Sequence, residues 1–104
     1  MPADRLRTSE VDALLDAFLS LKTPDEAYAF LQDVATVKEI QDLSQRLAVA
    51  RMLAGGAHYD DIHAATGASA TTIARVNRSL NYGADGYRTI IERLGDADAE
   101  GGAR

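Results

Sequence analysis

With 104 residues, 46% of them apolar, the chain has material for one small domain, and a domain of this size buries a limited fraction of its surface unless a second copy adds to it. The absence of cysteine excludes a disulfide framework, a thiolate zinc site and a cysteine nucleophile, leaving packing as the source of stability. A net charge of −5 argues, taken alone, against a polyanionic partner, because neutralised phosphates supply most non-specific DNA affinity.

Residues 1–7 show no apolar periodicity and are expected to be disordered. Met1-Pro2-Ala3-Asp4 lacks the basic and apolar regions of a secretion signal, and no stretch approaches the ~20 apolar residues of a membrane span, so a cytoplasmic protein is expected. Behind Ser9 as cap, Val11, Leu14, Leu15, Phe18, Leu19 and Leu21 recur at helical spacing in a broad stripe. Thr23-Pro24-Asp25-Glu26 has the residue types of a helix start, a hydroxyl cap followed by Pro and then Glu, and predicts a second helix to about Val34. Thr36-Val37-Lys38-Glu39 repeats that logic for a longer third helix with Ile40, Leu43, Leu47, Ala50 and Leu53 or Ala54 on one face, ended by Gly55-Gly56.

Tyr59 to Thr66 can form about two helical turns, stopped by Gly67, after which Ser69 caps a further helix from Ala70 to Leu80. A turn at Asn81-Tyr82-Gly83-Ala84 then leads to Asp85 as cap for a short helix carrying Tyr87, Ile90, Ile91 and Leu94. Residues 95–104, rich in Gly, Ala, Asp and Glu, have nothing to bury and predict a disordered acidic tail, leaving 8–94 as the folded domain. No segment alternates with period two. The fold class is all-α, with about six helices.

The charge is unevenly spread. Residues 1–42 carry 4 basic against 9 acidic side chains, residues 43–93 carry 6 against 4, and 69–82 hold Arg75 and Arg78 with no acid at all. A solvated helix face would also read this way. The surrounding spacing favours a helix-turn-helix: Gly67 falls at the turn, and Ile62, Ile73, Val76 and Leu80 can form the wedge of core between the two helices. With Ile73 facing that core, about 100° per residue puts Thr71, Arg75, Arg78 and Tyr82 on the opposite side. Arginine there can clamp a phosphate or read a guanine edge, and Ser69, Ala70, Thr71 and Thr72 occupy the first turn, where a recognition helix reads bases. The DNA-facing set is thus Ser69, Ala70, Thr71, Thr72, Arg75 and Arg78, with double-stranded DNA as partner. His63 stands four residues before the turn glycine, where a small side chain is normal, and predicts unusual packing.

From Gly67 to Tyr87, most specifically from Arg75 to Tyr87, and again at Gln45-Arg46-Leu47-Ala48-Val49-Ala50, the sequence resembles the YerC/YecD family of Trp repressor-related proteins, over roughly residues 8–94. The resemblance implies the Trp repressor fold, an intertwined homodimer with two helix-turn-helix heads for successive major grooves, in which Val11, Leu14, Leu15, Phe18 and Leu19 are buried between chains. It also implies a ligand position. In the Trp repressor an indole lies between two arginines; Arg75 matches one, Arg46 approximately matches the other, and Ser79 matches a serine that holds the amino group. The glycine that makes room for the ring is Val76 here, so the slot is expected to be filled by the protein, and tryptophan is not expected as effector.

His58 and His63 lie five residues apart and cannot share a helix face, so no metal site is expected. No nucleophile elbow, P-loop or dinucleotide fingerprint occurs, and neither an enzyme nor a cofactor is expected. The expected function is a sequence-specific transcriptional regulator, a repressor, acting as a homodimer. The competing reading is a protein-interaction module on a helix-turn-helix scaffold that docks through its acidic N-terminal half to the transcription machinery.

Overall fold

The computed structural model describes the backbone of residues 5–100 and the side chains of residues 5–95. The parts of the expected disordered ends at 1–4 and 101–104 lie outside the described residues. Six helices and no strand occur among the described residues: α1 Ser9–Ser20, α2 Pro24–Val34, α3 Val37–Ala54, α4 Tyr59–Thr66, α5 Ala70–Tyr82 and α6 Gly86–Glu100. No helix among them is long and apolar enough to cross a membrane. The chain divides into two compact units, Met1–Ile40 and Gln41–Arg104, with the boundary inside α3.

Side-chain oxygens start the helices of the first unit. The cap of α1 is Thr8, one residue before the Ser9 that the sequence points to, and its hydroxyl accepts from the Val11 N–H at 3.2 Å. Thr23 accepts from the Glu26 N–H at 3.1 Å while the Glu26 carboxylate accepts from the Lys22 N–H at 3.0 Å. At α3 the exchange is fully reciprocal: Thr36 Oγ1 accepts from the Glu39 N–H at 3.1 Å, and Glu39 Oε1 from the Thr36 N–H at 2.8 Å. The Thr36 backbone N–H first, and its hydroxyl second, hold the Glu39 carboxyl below its ordinary value.

Neither α1 nor α2 contains a buried residue. Phe18 and Phe30 meet edge to face at 5.4 Å, yet Phe18 stays 42% exposed and Leu19 84% exposed. Leu14 and Leu15 are also exposed, and Val11 is half-buried. The broad stripe therefore finds no core within this unit.

The second unit has one. Val49 and Ala50 of α3, Ile62 of α4, Ala68 of the following turn, and Ile73 and Val76 of α5 are buried together, with Met52, Leu53, Ala57, Tyr87 and Ile91 packed around them. On α3 the predicted face is met at Ala50, which is fully buried, and at Ile40, Leu47 and Leu53, which are half-buried. Leu43 stays 52% exposed, and Val49, outside that stripe, is fully buried because the elements that cover α3 select which residues go inside. After Ala54 the chain closes with the Gly56 N–H donating to the Leu53 carbonyl and the Ala57 N–H to that of Met52, the paired bonds of a left-handed helix stop. Helix α5 runs two residues past Leu80, to Tyr82, and α6 runs past Leu94 to Glu100. The domain edge read at Leu94 falls inside this helix.

Candidate nucleic-acid interface

Helices α4 and α5 are joined by three residues, and each has its own reason to be there. Gly67 takes φ of 74°, a conformation that costs a side chain about 1 kcal/mol or more, and its N–H donates to the His63 carbonyl at 2.8 Å to stop α4. Ala68 is buried, its N–H donating to Thr66 Oγ1 at 3.1 Å. Ser69 caps α5, its hydroxyl oxygen accepting from the Thr72 N–H at 3.1 Å. Gln45 Nε2 of α3 donates to the Thr66 carbonyl at 3.1 Å and pins the end of α4 from below.

His63 turns out to complete this turn instead of disturbing it. Its Nδ1 lies 2.7 Å from the Ala68 carbonyl oxygen, and since a carbonyl only accepts, the proton sits on Nδ1. His63 is exposed rather than buried between the helices, and its ring bonds to the backbone of the turn, which accommodates a large side chain at a position where a small one is normal.

The turn sets the face that α5 presents. Ile73, Val76 and Leu80 are buried, and Thr71, Arg75, Arg78 and Tyr82 are exposed on the other side, as the wheel predicts. Ser69 and Ala70 are exposed beside them. Thr72 differs: it is half-buried, and its hydroxyl accepts from Ser69 at 3.2 Å, so these two hydroxyls are engaged with each other before any ligand arrives.

Thr72 belongs instead to a neighbouring stripe. Thr72, Arg75, Val76 and Ser79, with Arg46 of α3 and Tyr87 of α6, line a cavity of about 310 Å³. The structure thus gathers Arg46, Arg75, Ser79 and Val76, which the family resemblance places around an indole slot, and it adds Thr72 and Tyr87. The expectation that the protein fills this slot is not met. Val76 is 4% exposed and gives its side chain to the core with Ile62 and Ile73, which leaves the space beside it open. Thr72 completes an i, i+3, i+4, i+7 series with Arg75, Val76 and Ser79 on α5, whereas no periodicity within α5 says where Tyr87 of α6 docks. A second cavity of about 400 Å³, between α4 and α5, is lined by Tyr59, Asp60, His63, Ala70 and Ile73. Among the described residues no group of three or more His, Cys, Asp or Glu is placed to hold a metal ion.

The family model of the Trp repressor protein matches residues 9–95, which takes in all of α1 to α5 and most of α6. The chain belongs to the Trp repressor family. It is 46% identical over 104 residues, the whole of both chains, to YerC of Bacillus subtilis (strain 168), a protein described as uncharacterized. It superposes with a TM-score of 0.85 on the crystal structure of a TrpR-like protein from Eubacterium eligens, 56% identical, covering 88% of this chain and 95% of that one. A crystal structure described as a Trp repressor candidate, from Staphylococcus aureus, matches with the same TM-score at 46% identity, covering 91% and 95%. The all-α fold expected from the sequence is thus the Trp repressor fold, in a family of DNA-binding regulators, and the resemblance to YerC holds over the full chain.

Proposed function

We propose that this Trp repressor family member is a homodimeric, sequence-specific transcriptional regulator, a repressor, whose helix α5 enters the major groove with Ser69, Ala70, Thr71 and Thr72 at the groove floor and Arg75 and Arg78 on the flanking bases or phosphates. One observation carries the reading: α5 is pinned by a built turn and a buried apolar wedge, and its outward stripe is Thr71, Arg75 and Arg78 in a segment free of acids. The net charge of −5 resides in other parts of the chain. Thr72 and Ser69 then act through their remaining hydrogen-bonding capacity, since each already serves the other.

The dimer is supported by what the first unit lacks. Leu14, Leu15, Phe18 and Leu19 are exposed and α1 and α2 bury nothing, so Val11 and these four have most to gain from a second copy of the same surface. Exposed apolar area of this kind is worth about 25 cal/mol per Å² once covered.

Tryptophan is not the effector in this reading. Val76 stands in the cavity wall where the tryptophan-binding members have glycine, so the slot, though open, is walled on that side by an isopropyl group that the core holds in place. Titration of the protein on genomic DNA fragments at two salt concentrations tests the function: steep loss of affinity with salt, and a few preferred fragments, are the expected results. No retention at low salt would defeat the regulator and favour a module that docks on protein through its acidic N-terminal half.

A further inference from the structure

Tyr82 ends α5, and its side chain is 86% exposed. It continues the stripe of Thr71, Arg75 and Arg78 by another helical step. At 1.5 Å rise per residue it lies about 16 Å along the axis from Thr71. The major groove is about 12 Å wide and about 8.5 Å deep, less than that span in either direction. A helix that enters end-on, with its first turn at the groove floor and its axis out of the groove rather than along it, therefore has its last turn outside, level with the sugar-phosphate backbone.

That last turn is held firmly. Asn81 Nδ2 donates to the carbonyl and to Oδ1 of Asn77, both at 3.0 Å, and Asn81 Oδ1 accepts from Arg88 Nη2 of α6 at 2.8 Å. The chain then leaves at Gly83, whose N–H donates to the Ser79 carbonyl at 2.9 Å and where a Cβ would overlap that carbonyl oxygen. The phenol thus stands on a held support, on the helix face that also exposes Arg75 and Arg78.

We infer that the Tyr82 hydroxyl donates a hydrogen bond to a backbone phosphate at the edge of the groove, a sequence-independent contact that sets how deeply the first turn of α5 enters. The inference rests on the DNA-binding reading and adds a contact that the charge pattern does not reveal, because tyrosine is neutral. Phosphate contacts of this kind position a protein without reading sequence.

The test compares the full-length protein with its Tyr82→Phe variant on a duplex selected from a random pool and on an unrelated duplex, each over a series of salt concentrations. Loss of one hydrogen bond to a charged group weakens binding about tenfold, and the homodimer loses two, one from each copy, which predicts about a hundredfold weaker binding on both duplexes. The slope of affinity against salt stays unchanged, because a neutral donor releases no counterion. Equal binding by the two proteins removes the Tyr82 contact and leaves the regulator standing. A loss confined to one base-pair position would mean that Tyr82 reads a base, and a shift to smaller species in sedimentation would mean that it touches the partner copy; either overturns the inference. If the unaltered protein does not bind DNA, both readings fall together.

Discussion

At residue scale the turn between α4 and α5 depends on a side chain that looks out of place in the sequence. The bond from His63 Nδ1 to the Ala68 carbonyl closes a ring across Gly67, and its loss leaves that carbonyl without this donor. His63→Ala is expected to lower stability by about 1–2 kcal/mol, read as a shift of the urea midpoint with unchanged slope. Nothing in the linear sequence marks the acceptor, since the Ala68 carbonyl comes within reach only after the turn has formed. Val76 is the opposite case: the wheel places it in the core and the structure buries it, yet the space next to it, walled by Arg46, Arg75 and Tyr87, is visible only in three dimensions. Calorimetric titration with tryptophan should release or absorb no measurable heat of binding, and micromolar affinity would defeat the argument from the β-branched wall.

At the scale of elements, helix starts were easier to read than helix ends. A start is announced by local chemistry, as in Thr23-Pro24-Asp25-Glu26 and Thr36-Val37-Lys38-Glu39, and both are capped as those residues predict. The miss at α1, Thr8 for Ser9, is a choice between two adjacent hydroxyls that propensity does not separate. Ends depend on tertiary contact. Helix α5 continues to Tyr82 because Asn81 is tied to Asn77 and Arg88, a link that joins two helices. The capping pair at α3 has a pH signature. Because the Glu39 carboxyl is held below its ordinary value of 4.5 in the folded chain, the stabilisation it brings is present above that value and is lost as pH falls through the lowered one. Glu39→Gln is therefore expected to flatten the acid limb of a stability–pH curve below about 4.5 while changing little at neutral pH. An acid limb identical to that of the unaltered protein would show that the pair contributes nothing to folding.

For the whole molecule, the sequence made the composition of the apolar stripe plain but not its destination. Periodicity shows that Val11, Leu14, Leu15, Phe18 and Leu19 share a helix face; it is their exposure, in a unit with no buried residue, that leaves a second copy as the partner with most to offer. Leu19→Glu, at a side chain 84% exposed in the single chain, is expected to move the protein from dimer to monomer in sedimentation while leaving the core around Ile62 and Ile73 intact. An unchanged dimer would place the interface on another surface.

The proposed dimer presents two copies of α5, and the proposed function rests on the arginines they expose. The most direct measurement is the salt dependence of DNA affinity for the unaltered protein and for the Arg75→Ala, Arg78→Ala double variant, with helical content followed by circular dichroism. Removing both arginines from both copies is expected to lower the slope of log affinity against log salt by about 3–4 units and to abolish site preference at unchanged helicity. A double variant that binds its preferred fragment with the original affinity and slope would show that α5 is not the DNA-binding face.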